Sequence, residues 1–284
     1  MKAILVPTDF SKPAEDALKY AVELAKKEDA KIFLLHVYKF IYVSPIVSSD
    51  LVVEQFRASE QDVLKKLKKI CTKIIEKSKI NCVPLNREGL VVDTILDIAK
   101  KKRINKIVMG TNGASLVSRA IIGSNTAKVV QHANCPVIVI PEGVKYKPIK
   151  HITYATDYHA SDLISLKNLL ETAKVHKAKI TLLHISEEQF SPELERQFLK
   201  NFSIKIKKKF DPERMLFKLV YGKNVVKRLE EYIKSEPVDM IVMSTTQRMA
   251  YEKLFEGSIT KNFSYHTNIP LMVFHHKEKA VIFL

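Results

Sequence analysis

Short apolar runs alternate along this chain with longer stretches whose apolar positions recur every three or four residues. Ala3–Val6 is a brief apolar run. In Pro13–Lys27, the residues Ala14, Ala17, Leu18, Ala21, Leu24 and Ala25 fall on one helical face. Ser11 is placed to cap that helix, with Pro13 in its first turn. Ile32–Val37 is apolar throughout, as expected of a strand buried on both faces. Leu51–Lys77 predicts a long amphipathic helix, Asn81–Asn86 a strand, Val91–Lys101 a helix and Lys106–Met109 a strand. Ala127–His132 closes a further helix before a last strand at Val137–Ile140.

The pattern then repeats. Ala3–Ser11 (AILVPTDFS) is answered by His151–His159 (HITYATDYH), and Ala30–Val37 (AKIFLLHV) by Ala178–Ile185 (AKITLLHI), at one constant offset. Ile107–Met109 matches Ile241–Met243, and Pro136–Ile140 matches Pro270–Phe274, at a smaller offset. The first copy therefore carries an insertion of about a dozen residues, expected at Lys39–Asp50. The expected domains are 1–142 and 149–276, joined by the short linker Glu142–Pro148. Strand and helix in strict alternation predict an α/β fold: two Rossmann-like (HUP-type) domains, each a five-stranded parallel sheet with helices on both faces. In such sheets ligands sit beyond the carboxyl ends of the strands, where the strand order reverses. The residues at those ends are Pro7, Thr8 and Asp9, Val37 and Tyr38, Gly89, and Gly110–Gly113.

Composition narrows the possibilities. The formal net charge of +16 favours anionic ligands. The lysines are scattered over many predicted helices, however, so a solvated surface accounts for most of them and nucleic acid is not the expected partner. Three cysteines without a CxxC pair argue against a disulfide scaffold or zinc site and fit a cytoplasmic protein. The N-terminus lacks the apolar core of a signal peptide, and no apolar run is long enough to span a membrane.

Only seven glycines occur, and three of them form the pattern G-x2-G-x9-G-S. Gly110 and Gly113 follow the predicted strand ending at Met109, and Gly123 precedes Ser124 and Asn125 at a helix start. Glycines admit positive φ and close approach of a ligand. Successive backbone N–H groups form an anion nest, and a helix N-terminus favours phosphate. The plainer alternative is a glycine-shaped turn. Asp9 has a plainer alternative too, since an aspartate after a strand commonly caps the next helix. His36 and His184 are candidates for metal or acid–base chemistry, although a histidine in an apolar strand is more often a hydrogen-bonded core residue.

The VPTDFS opening, the LLHV strand and the G-x2-G-x9-G-S-N stretch resemble the universal stress protein family, twice over and across nearly the whole chain. The resemblance implies an ATP-binding site in the first copy, for ATP or for AMP or ADP, with Mg²⁺. It implies that Gly110, Gly113, Gly123, Ser124 and Asn125 hold the phosphates, that Asp9 faces the ribose or adenine side, and that Val37 offers backbone groups to adenine. Pro7, Thr8 and Met109 would line the pocket. It also implies an internal pseudo-dimer through the last strands, Val137–Ile140 and Leu271–Phe274, with homodimers and a protein partner as further associations. The second copy reads Met243-Ser244-Thr245-Thr246-Gln247 before Gly257-Ser258, so two of the three glycines are gone. No Walker lysine, nucleophile elbow or metalloprotease motif is present, which leaves slow ATP hydrolysis as the most that catalysis could amount to. A binding module without nucleotide remains the alternative, taking an acidic or lipid-like ligand on the basic surface or near Phe40–Val47. The apolar tail Ala280–Leu284 is expected to fold back on the surface or extend an assembly.

Overall fold

Ser11 begins the first helix as the sequence predicts: its hydroxyl accepts from Ala14 N–H, with Pro13 in the first turn. In the computed structural model this helix, α1 (Lys12–Glu28), links β1 (Lys2–Pro7) to β2 (Ala30–Tyr38). The structure describes residues 1–39, 49–111, 123–158, 162–187, 191–210, 215–244 and 269–275, with 49–59 described by backbone alone. There follow α2 (Ser49–Ser78), β3 (Cys82–Glu88), α3 (Val91–Lys101), β4 (Lys106–Gly110), α4 (Ser124–His132) and β5 (Val137–Ile140). The second repeat runs β6 (His151–Ala155), α5 (Asp162–His176), β7 (Lys179–Ser186), α6 (Pro192–Lys209), β8 (Met215–Tyr221), α7 (Val225–Ser235), β9 (Met240–Ser244) and β10 (Leu271–Phe274).

The ten strands among the described residues make one sheet in the order β3-β2-β1-β4-β5-β10-β9-β6-β7-β8. Pairing is parallel within each repeat and antiparallel where β5 meets β10, with Met272 opposite Ile138. Both terminal strands read as uncovered edges in the sequence, and each closes the other. Apolar side chains fill the two faces of the sheet. Ile4, Val6, Leu34 and their counterparts pack under α1, α2, α5 and α6. Leu5, Leu35, Ile107 and Val139 pack under α3, α4 and α7. Each fully buried Leu or Ile stabilises by about 1.5–3 kcal/mol relative to exposure, so the alternation of strand and helix is held by both layers.

The expected insertion lies between β2 and β3, where α2 has 30 residues and its counterpart α6 has 18. Most of Lys39–Asp50, including Phe40–Val47, and the tail Ala280–Leu284 lie outside the described residues. The linker is pinned rather than loose. Gly143 adopts φ 80°, a left-handed conformation suited to glycine, and its N–H donates to Asp16 Oδ2. Tyr146 packs edge-on against Tyr20, and Ile149 is buried.

Candidate functional site

The strand order reverses between β1 and β4 in the first repeat, so the crevice opens beyond Pro7 and Gly110. Thr8 N–H donates to Leu35 O, which seats the end of β1 against β2. Thr8 O accepts from His36, whose Nδ1 lies 2.8 Å away and therefore carries the proton. Thr8 Oγ1 accepts from Phe10 N–H, and Asp9 Oδ1 accepts from Ser11 N–H, each at 3.0 Å. Phe10 takes φ 63°, a costly conformation for an aromatic residue, and stacks on His36 with ring centroids 4.9 Å apart. Lys66 Nζ sits over the Phe10 ring, 3.9 Å from its centre. The corner is thereby over-determined, and it presents Asp9 to solvent.

Asp9 thus uses one oxygen in the turn that precedes α1, whose cap is Ser11 itself, while remaining exposed beside the crevice. His36 holds a carbonyl in place; among the described residues no group of three His, Cys, Asp or Glu could hold a metal ion. Leu35 O faces β1 and Tyr38 O faces β3. Alternation along the strand then turns the N–H and C=O of Val37 toward the crevice, past the end of β1, which stops opposite Leu35.

The other wall is β4 and the start of α4. Met109 is buried in the core under α3 and α4, so only its backbone borders the crevice. Gly110 is required by close approach, not by a left-handed backbone. A Cβ there would lie 2.7 Å from the carbonyl carbon and oxygen of Pro13, in the first turn of α1. Gly123 likewise has φ −60° and serves as N-cap without a side chain. Neither glycine therefore supplies a positive φ; of the two properties expected of them, Gly110 uses the room for close approach. Thr126 Oγ1 donates to Gly110 O, and Gly123 N–H to Thr111 O, which hang the N-terminus of α4 on the end of β4. Ser124 and Asn125 are exposed in that first turn. The Thr111 hydroxyl is buried and has no partner among the described residues. Gly113 lies outside the described residues, as do Thr245–Gln247, Gly257 and Ser258.

The second repeat rebuilds the same corner. Thr156 N–H donates to Leu183 O, His184 Nδ1 donates to Thr156 O at 2.7 Å, and Tyr158 at φ 61° stacks on His184. Its crevice differs. Where the first repeat has Val6, Ala14 and Gly110, the second has Tyr154, Asp162 and Ser244. Tyr154 OH and Thr156 Oγ1 both donate to the Asp162 carboxylate, at 2.7 and 2.6 Å. Glu195 of α6 accepts from Ser186 and approaches His184 Nε2 to 3.7 Å. Tyr154, Thr156 and Ser186 are satisfied by the two carboxylates there, whereas the buried hydroxyls of Ser244, Tyr158 and Tyr221 have no partner among the described residues. Sequence reading missed the stacked His–aromatic pair; the signal was the repeated Thr-Asp-aromatic followed 26 residues later by histidine in both copies.

The sequence profile described as the Universal stress protein family matches residues 1–141 and again 148–275. A universal stress protein of Methanocaldococcus jannaschii is 33% identical over 150 residues, covering 51% of this chain and 84% of that protein. Another from Bacillus subtilis is 30% identical over 146 residues, covering 48% of this chain and 97% of its own length. A crystal structure of a universal stress protein from Archaeoglobus fulgidus superposes with a TM-score of 0.70 at 18% identity, over 97% of both chains, which shows a shared fold. No helix among the described residues is long and apolar enough to cross a membrane.

Proposed function

The chain belongs to the universal stress protein family as two fused copies, and on that premise we propose that its first domain binds ATP, or AMP or ADP, and reports occupancy through assembly or a partner protein. The single observation that carries this reading is the start of α4 suspended over the strand-order reversal by Thr126 and Gly123. Free N–H groups at a helix N-terminus favour phosphate, and Ser124 and Asn125 add side-chain donors there. The residues fit such a ligand in two further ways. The buried Thr111 hydroxyl lacks a partner among the described residues, and the Val37 backbone is turned to the crevice where a base would be recognised. With nucleotide bound, Gly123, Ser124 and Asn125, with Gly110 and Gly113, would hold the phosphates, and Asp9 would face the sugar. Bound Mg²⁺ would offset phosphate charge.

The second domain is read as the structural partner. Tyr154 and Thr156 engage Asp162 where the first domain carries Val6, Thr8 and Ala14, so a nucleotide would have to displace a hydrogen-bonded buried carboxylate. Calorimetric titration of Mg-ATP into wild type and Gly113→Gln tests the reading; the variant copies Gln247 into the first domain. One nucleotide per chain, lost in the variant, is the expected result. Two per chain would refute the assignment of the second domain. No binding by folded wild type would overturn the nucleotide reading and favour a module for an acidic or lipid-like ligand.

A further inference from the structure

Cys71 and Cys82 are the two cysteines that the function leaves unused and the fold brings together. Cys71 lies two turns before the end of α2, and Cys82 is the first residue of β3, the outermost strand of the sheet. Both side chains are buried, and Cys82 Sγ donates to Cys71 Sγ across 3.0 Å. A disulfide bond is about 2.05 Å long, so bond formation needs a sulfur movement of only about 1 Å. Spacing in the sequence offered no CxxC pair; the return of the chain from α2 into β3 creates the proximity.

We propose that Cys71 and Cys82 form a two-electron oxidation site that closes to an intramolecular disulfide on exposure to a peroxide. The hydrogen bond from Cys82 favours the thiolate at Cys71, which assigns Cys71 as the attacking sulfur and Cys82 as the resolving one. The Cys71 thiolate attacks one peroxide oxygen, the O–O bond breaks, and hydroxide leaves and takes up the thiol proton as water. The resulting sulfenic acid is attacked at sulfur by Cys82, and the hydroxyl leaves as a second water. The sum is two thiols and one hydrogen peroxide giving one disulfide and two waters, with the two electrons supplied by the sulfurs. The disulfide ties the end of α2 to the edge strand β3. Cys135 is an internal control: it stands in the other core layer, and burial pushes its thiol up to about 12.

The test is thiol counting on the intact protein. Native protein is treated with hydrogen peroxide, denatured in the presence of an alkylating agent, digested and weighed. The expected count falls from three alkylated cysteines to one, with Cys71 and Cys82 recovered as one linked peptide, Cys135 alkylated, and all three restored by dithiothreitol. Oxidation should also raise the melting temperature by about 5 °C, because the cross-link closes a loop of roughly ten residues. Cys71→Ser and Cys82→Ser should each abolish the linked peptide, and Cys135→Ser should leave it unchanged. Three alkylated cysteines after peroxide, sulfinic acid at Cys71 without a link, or a link that includes Cys135 would each overturn the proposal.

Discussion

Glu28 and His176 hold the same position in the two repeats and touch one another across the domain junction, with Oε1 3.3 Å from Nε2. Each closes the first helix of its domain, and both side chains are almost wholly buried. Two identical domains would bring like against like here, carboxylate on carboxylate or imidazole on imidazole. The chain has diverged so that an acid meets a base. Lys106 completes the cluster, with Nζ 2.5 and 2.6 Å from the two Glu28 oxygens and 3.0 Å from Thr172 Oγ1. Its counterpart in the second repeat is the buried Met240, so this lysine has no equivalent across the pseudo-axis.

Lys106→Met, which copies the second repeat into the first, should therefore be costly. It leaves the buried Glu28 carboxylate with His176 alone, and breaking a buried pair by removing one partner costs about 3–5 kcal/mol. Combining Lys106→Met with Glu28→Gln should recover part of that loss, because the second change removes the stranded charge. Urea unfolding of the two single variants and the double variant measures the coupling; strictly additive losses would show that the pair does not act together.

Acid should weaken the same junction. Burial works to raise the pKa of Glu28, but the hydrogen bond from His176 and the Lys106 charge hold the carboxyl below its usual value. A carboxyl depressed in the folded state contributes stability that is present above its unfolded pKa and lost as the pH falls through the folded one. Asp16 is held low likewise, against burial, by Lys12 and the Gly143 N–H. Unfolding free energies at pH 6 and below pH 4.5 should thus diverge in wild type and diverge less in Glu28→Gln.

Gly110→Ala should damage both fold and site. The new methyl meets Pro13 backbone atoms at 2.7 Å, and backbone cannot rotate away as a side-chain tip would. Overpacking of this kind costs about 1–3 kcal/mol. Because α1 and β4 flank the crevice, the affinity for Mg-ATP should fall in parallel. Calorimetry and chemical denaturation on the same preparation check both outcomes.

His36→Ala and His184→Ala separate position from function. Each removes a donor to a threonine carbonyl and a stacked ring, so each should cost about 1–2 kcal/mol of stability. Only His36→Ala should weaken nucleotide binding, since Thr8 and Asp9 border the first-domain crevice. Equal loss of affinity in both variants would contradict a single site.

The alternation of strands and helices was legible from periodicity, because a buried strand and an amphipathic helix leave different spacings of apolar residues. The duplication was legible because VPTDFS and YATDYH, and LLHV and LLHI, recur at one offset. The strand-end residues of the candidate site followed from topology alone, since ligands gather where strand order reverses. The reason for Gly110 was not legible: the sequence says that a side chain is absent, and only the packing of Pro13 says what that absence makes room for. Nor could spacing place His36 on Thr8 O, Cys82 on Cys71, or Glu28 between Lys106 and His176. Those contacts join residues 11 to 148 positions apart, and periodicity reports only on the few neighbours that share a helix turn or a strand face. Which distant side chains meet is decided when the sheet closes and its helices settle on it.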